Sequence, residues 1–170
     1  MLRMQAASNV MLKNITERLK KIEAAIKNRG QNVEEVNDNL IAPFLPLNAI
    51  DIVKEFDALL KMSHDTTRQF KHLISKTGGN NARDGIHRIF KKTFTNECAM
   101  KCSWKGHRNN FQVSNLHLTQ IIKRQVIMRF TTCTEGEFDF ITAEWFRFAQ
   151  QRYKREKSKE IIMEENTEDD

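Results

Sequence analysis

Proline is nearly absent from this chain: the 170 residues hold two, Pro43 and Pro46, on either side of Phe44-Leu45. Apart from that one segment, no proline interrupts a helix. No apolar run approaches 18 residues, so no membrane-spanning helix is expected. The opening MLRMQAASNVMLKN has no continuous apolar stretch, so no signal peptide is expected. The three cysteines are an odd number. Without a secretory signal they point to free thiols in a reducing compartment. No HExxH, GxSxG or glycine-rich phosphate loop occurs. His64, His72, His87, His107 and His117 are scattered, and Asp84 and His87 lie three apart with no nucleophile near them. These gaps argue against an enzyme and against a cofactor. Cys98 and Cys102 share a helix face, and Cys133, His107 and His117 are further conceivable ligands. A structural zinc site normally needs two tight ligand pairs. CxxxC on a helix reads better as small apolar filling, so no metal is expected.

Acid is also scarce where base is abundant. The net charge is +6. Residues 160–170 contain six acids and no base, which leaves 28 bases against 16 acids in residues 1–159, or +12. Between Lys61 and Thr134 there are 14 Lys/Arg against Asp65, Asp84 and Glu97. A field of one sign gathered on a small domain attracts polyanions.

Strand-like alternation is scarce and helical spacing dominates. Leu12, Ile15, Leu19, Ile22 and Ile26 are spaced 3, 4, 3, 4, which is an a/d seam. A coiled-coil helix over 1–36 is expected, self-associating through that seam. Its oligomeric order stays open. Residues 37–47 read as a linker stiffened by the two prolines. Residues 48–156 read as a basic all-helical domain of five to six short helices. Asn48, Ser63 or Asp65, Asn80 or Asn81, Thr95 and Thr134 are helix-opening residues by type and position. Gly78-Gly79 reads as a helix stop. Ile86, Ile89, Phe90 and Phe94 line one face of the third helix. Phe138, Ile141, Trp145, Phe148 and Arg152 are placed on one seam of the last. Residues 157–170 read as an acidic disordered tail. The fold class is therefore all-α.

Two places carry candidate contacts. In Trp104-Lys105-Gly106-His107-Arg108-Asn109-Asn110, Trp104 is expected in the core. Lys105, His107 and Arg108 then project from a turn that can hold phosphates, with Asn109 and Asn110 tolerating left-handed backbone. On the last helix, Arg147, Gln150, Gln151, Lys154 and Arg155 fall on or near the side away from the core. Arg can read guanine and Gln adenine, each discriminating by about 1–3 kcal/mol. The run from Arg152 to Lys159 also has the composition of a nuclear import signal.

The ordered segments LPLNAIDIVKEFDALL, FKHLISKTGGNNARDGIHRIFKKTFTNECAMKCSWKGHRNNF, LHLTQIIKRQVIMRF and EWFRFAQQR resemble the domain-of-unknown-function family 4806 over about residues 45–155. Its recurrent features with counterparts here are LPL before a helix, a GG stop, F-T-x-E, W-x-G and a final tryptophan-containing helix. The family prefers two bulky apolar residues where Cys98-Ala99 stand, so a looser fourth helix is expected. The layout from Ile86 onward is also similar to the BEN domain, an all-helical module that binds DNA or serves as a protein adaptor. That likeness implies that Arg147, Gln150, Gln151, Lys154 and Arg155 face the major groove, with Lys105 and Arg108 on phosphates. The combined expectation is a nuclear module, chromatin-associated and regulatory, that binds duplex DNA. Its nucleic-acid contacts are Lys105, His107, Arg108, Arg147, Gln150, Gln151, Arg152, Lys154 and Arg155. The alternative is a protein-interaction adaptor without nucleic-acid affinity.

Overall fold

The computed structural model describes Thr16, Glu17, Lys20 and residues 40–165, with side chains described as far as Lys159. The chain divides into two compact units, Met1–Asn37 and Asp38–Asp170. In the first, Thr16, Glu17 and Lys20 are helical and exposed. Leu12, Ile15, Leu19, Ile22 and Ile26, read as a self-association seam, lie outside the described residues.

The second unit is an all-α bundle with a small parallel β pair. Its elements are α1 (Ile50–Met62), α2 (His64–Thr77), α3 (Ala82–Thr93), α4 (Asn96–Met100), β1 (Cys102–Ser103), β2 (Phe111–Gln112), α5 (His117–Arg129), α6 (Glu135–Arg147) and α7 (Ala149–Glu165). Local chemistry fixes most of the helix starts. Ser63 Oγ accepts from Thr66 N, Asn81 Oδ1 from Asp84 N, Thr95 Oγ1 from Cys98 N and Thr134 Oγ1 from Glu137 N. Each satisfies an amide that the helix itself leaves unpaired. Gly78 ends α2 at φ 69°. Gly79 does something further: a Cβ there would sit 2.5 Å from Gly85 Cα, so the glycine pair lets α3 press against the preceding turn.

α5 begins differently. No side chain of its own caps it. Asp57, buried on α1, accepts from Leu118 N at 2.9 Å while Lys61 Nζ lies 2.7 Å from its other oxygen. One carboxylate thus ties two helices together, and stripping a buried amide of its acceptor costs about 1–3 kcal/mol.

The core centres on Phe90. Its ring centroid lies 5.4 Å from Trp145, 5.5 Å from Phe146, 6.1 Å from Phe94 and 6.5 Å from Phe138. The face formed by Ile86, Ile89, Phe90 and Phe94 is buried as its spacing requires. Cys98 and Ala99 are fully buried, and α4 with them is closely packed against the bundle rather than loosened.

Four expectations are corrected. Residues 41–47 are not a linker. Ile41 and Leu47 are buried, and Leu47 pairs with the α3–α4 connection: its N–H donates to Thr93 O and its carbonyl accepts from Thr95 N. Apolar burial and two backbone bonds outweigh the prolines' bias toward a spacer. The cap of α1 is Ala49, not Asn48. The final helix is two helices, broken at Phe148, where φ −92° and ψ 8° leave the helical region. The break takes Phe148 to 39% exposure, and Phe146 and Ala149 are buried in its place. Residues 157–165 are not a disordered tail but the last turns of α7. Beside these four, and within an all-α fold, a two-residue parallel pair, Cys102 with Phe111 and Ser103 with Gln112, holds the turn that follows α4.

Candidate nucleic-acid interface

The basic turn is built from both ends. β1 and β2 pin its flanks, and the buried Trp104 ring meets Phe138 on α6 at 6.2 Å. Three residues with positive φ reverse the chain between them: Gly106 at φ 74°, Arg108 at φ 57° and Asn109 at φ 60°. Asn110, read as a second left-handed residue, is extended at φ −73°. Arg108 carries the less favourable backbone, since a non-glycine residue rarely adopts positive φ. His107, Arg108 and Lys105 are exposed.

Because Trp104 docks on α6, the turn lies beside the α6–α7 junction. A groove of about 560 Å³ runs between them. Cys102, Trp104 and Phe146 contribute apolar surface, and His107, Arg108, Arg147 and Gln150 contribute polar and charged groups. Ser103 Oγ, also lining the groove, is buried with no hydrogen-bond partner among the described residues. The arrangement offers donors and positive charge to a polar or anionic ligand. Arg147 is partly committed. Its Nη2 donates to Glu144 Oε1 at 3.0 Å, its guanidinium lies 4.7 Å from the Phe148 ring centroid, and Glu144 also accepts from Arg83.

The nine residues read as nucleic-acid contacts therefore do not form one face. His107, Arg108, Arg147 and Gln150 meet in this groove. Gln151, Arg152 and Arg155 line a cleft against α3 instead. Lys105 and Lys154 are exposed. Helical spacing explains the division, since consecutive residues such as Gln150 and Gln151 are a hundred degrees apart around the axis.

Arg152 also has a structural role. Its guanidinium lies 4.0 Å from the Trp145 ring centroid, Nη1 donates to Trp145 O at 2.6 Å, and Nε donates to Asn96 Oδ1 at 2.9 Å. Burial pushes its pKa down to about 10. It is a packing residue that joins α7 to α6 and α4. Arg152→Ala is expected to lower stability by about 2 kcal/mol, from the lost ring contact and charge-assisted bonds. Arg155→Ala, at an exposed position, is expected to stay within about 0.5 kcal/mol. Urea unfolding of the two variants distinguishes them; equal midpoints would contradict the assignment.

His87, missed as a site residue, sits beside Arg152. Burial holds its pKa below the usual histidine range, and the charges of Arg83 and Arg152 push the same way. Asp84 and Glu144 act against them. Above about pH 6.5 the imidazole is neutral in folded and unfolded chains alike. As pH falls below that value, the unfolded chain takes up the proton first, so stability drops until the lower folded value is passed. The expected result is a urea midpoint that falls more between pH 7.5 and 5 in the wild type than in His87→Gln. Parallel pH dependences would contradict it.

The three cysteines are buried. The neighbouring Cys102 thiol holds the Cys98 pKa below the usual thiol range, while Cys98 and burial push that of Cys102 up. Among the described residues no group of three or more His, Cys, Asp or Glu side chains could hold a metal ion. Nor, among them, is any helix long and apolar enough to cross a membrane.

The family model described as Domain of unknown function (DUF4806) matches residues 42–133, more than half of the chain. The match covers α1 to α5 and the whole basic turn, and it ends before α6. No curated protein and no solved structure matches the sequence, so the likeness to the BEN domain gains no support from that side. The match runs from Ala42 through Cys133, over more than half of the chain, and the chain belongs to the DUF4806 domain family.

Proposed function

We propose that this protein is a nuclear DNA-binding module that acts in transcription or chromatin. The observation that carries the reading is the groove in which His107 and Arg108 of the basic turn come beside Arg147 and Gln150 of the α6–α7 junction. In this reading Arg108 and Lys105 neutralise backbone phosphates and set the register of the module on the duplex. Arg147 and Gln150 are the residues able to contact base edges. Phosphate neutralisation releases counterions, so affinity falls steeply with salt. The excess of base over acid between Lys61 and Thr134 supports the same reading. Catalysis has no part in it.

The test is an electrophoretic titration against random-sequence duplex DNA at about 50 and 200 mM salt, concentrations that bracket the electrostatic range. Binding at the lower salt that weakens sharply at the higher is the expected result. No binding at about 50 mM would overturn the DNA reading and leave a protein-interaction adaptor, whose basic surface meets an acidic partner.

A further inference from the structure

A second basic cleft lies between α3 and α7. One part, of about 410 Å³, is lined by Arg88 and Lys91 of α3, Asn96 of α4 and Glu156 and Lys159 of α7. The adjoining part, of about 320 Å³, is lined by Arg83, Glu144, Phe148 and Gln151. His87, Trp145, Arg152 and Arg155 belong to both.

The acids around this cleft are already engaged. Glu144 accepts from Arg83 and Arg147, Glu156 from Asn96 Nδ2, and Asp84 from Arg88 Nε and Asn80 N. Lys91, Arg155 and Lys159 have no ion-pair partner among the described residues. Two buried nitrogens are left without a hydrogen-bond partner there: His87 Nε2 and Arg152 Nη2. Arg152 cannot turn Nη2 toward another group without giving up the bonds of Nε and Nη1 and its place over Trp145. A buried donor without a partner is costly, and such a group in a native fold calls for an explanation. The surrounding charge sets the sign of what fits. Bases outnumber Glu144 and Glu156 in the lining, so the cleft as a whole repels a cation and favours an oxyanion.

We propose that the cleft between α3 and α7 is a binding site for a phosphate group, whose oxygens accept from His87 Nε2 and Arg152 Nη2 while Lys91 and Arg155 supply the neutralising charge. The site lies on the other side of α7 from the groove at the basic turn and uses none of that groove's residues. It does not depend on the DNA reading. The group it takes is either a free phosphate or a backbone phosphate of a duplex.

The imidazole of His87 reports occupancy directly. The full chain is followed by NMR while inorganic phosphate is added, with sodium chloride of matched ionic strength as the control. A saturable shift of the His87 ring signals is expected with phosphate and not with chloride. Its pKa should rise on binding, since a neighbouring anion favours the imidazolium. Lys91→Gln combined with Arg155→Gln alters exposed positions only, and should weaken the phosphate titration about tenfold or more. A His87 response that merely follows ionic strength would overturn the proposal, as would a double variant that titrates like the wild type. A short duplex then identifies the source. With the phosphate response in hand, a duplex that also moves His87 marks a backbone contact. A duplex that binds without moving it assigns the cleft to free phosphates.

Discussion

Phe90→Ala is expected to destabilise the domain by about 3–5 kcal/mol, the range for removing a buried aromatic side chain. Phe90 is fully buried and its ring meets those of Phe94, Phe138, Trp145 and Phe146. These partners come from the end of α3 and from α6, so the cavity left behind opens where the helices meet and cannot close by moving one side chain. A domain with a total stability of about 5–15 kcal/mol would lose a large part of it. Phe140→Ala is the matched control. Phe140 is on α6 but 60% exposed, and its truncation should change stability by no more than about 0.5 kcal/mol. Urea unfolding measures both. A Phe90→Ala midpoint close to that of Phe140→Ala would mean that the aromatic cluster is not the centre of the core.

Much of this fold is legible in the sequence because its signals are local. Ser63, Asn81, Thr95 and Thr134 bond amides three residues away, so residue type and position are enough to find them. The apolar face of α3 follows from spacing alone. What escaped depends on distant partners. Asp57 caps a helix that begins 60 residues later, and no sequence pattern links it to Leu118. Pro43 and Pro46 suggest a spacer, but Leu47 finds backbone partners on Thr93 and Thr95. One continuous last helix would keep Phe148 on the seam of Trp145, and the break at Phe148 changes that phase. The two-residue strands carry no periodicity to detect.

The candidate site was legible residue by residue but not as a shape. The basic turn and the α6–α7 side chains are visible as charge and composition. Their division between two sides of α7 is not, nor is the burial of Arg152 inside a run that reads as solvated. His87 gave no signal except its place on α3, because the groups that perturb it come from α6 and α7 as well as from its own helix.

Replacing Arg108 and Arg147 together should remove most of the electrostatic contribution of the groove at the basic turn. Both are exposed on its rim, and neither is part of the core. Each phosphate contact to B-DNA contributes about 0.9 to the slope of log affinity against log salt. Arg108 supplies one such contact, worth about a threefold change in affinity between 50 and 200 mM salt, and losing Arg147 from the base edges weakens binding at both concentrations. Glutamine at both positions keeps a polar, hydrogen-bonding side chain while removing the charge, and the aromatic core beneath should keep the fold intact. The unfolding midpoint of the double variant checks that directly.

The most direct measurement is therefore the salt dependence of duplex binding for the wild type and for Arg108→Gln/Arg147→Gln, read by fluorescence anisotropy on one labelled duplex. The expected result is a slope shallower by about 1 in the double variant, with weaker binding at low salt. Equal slopes and equal affinities in the two proteins would contradict it.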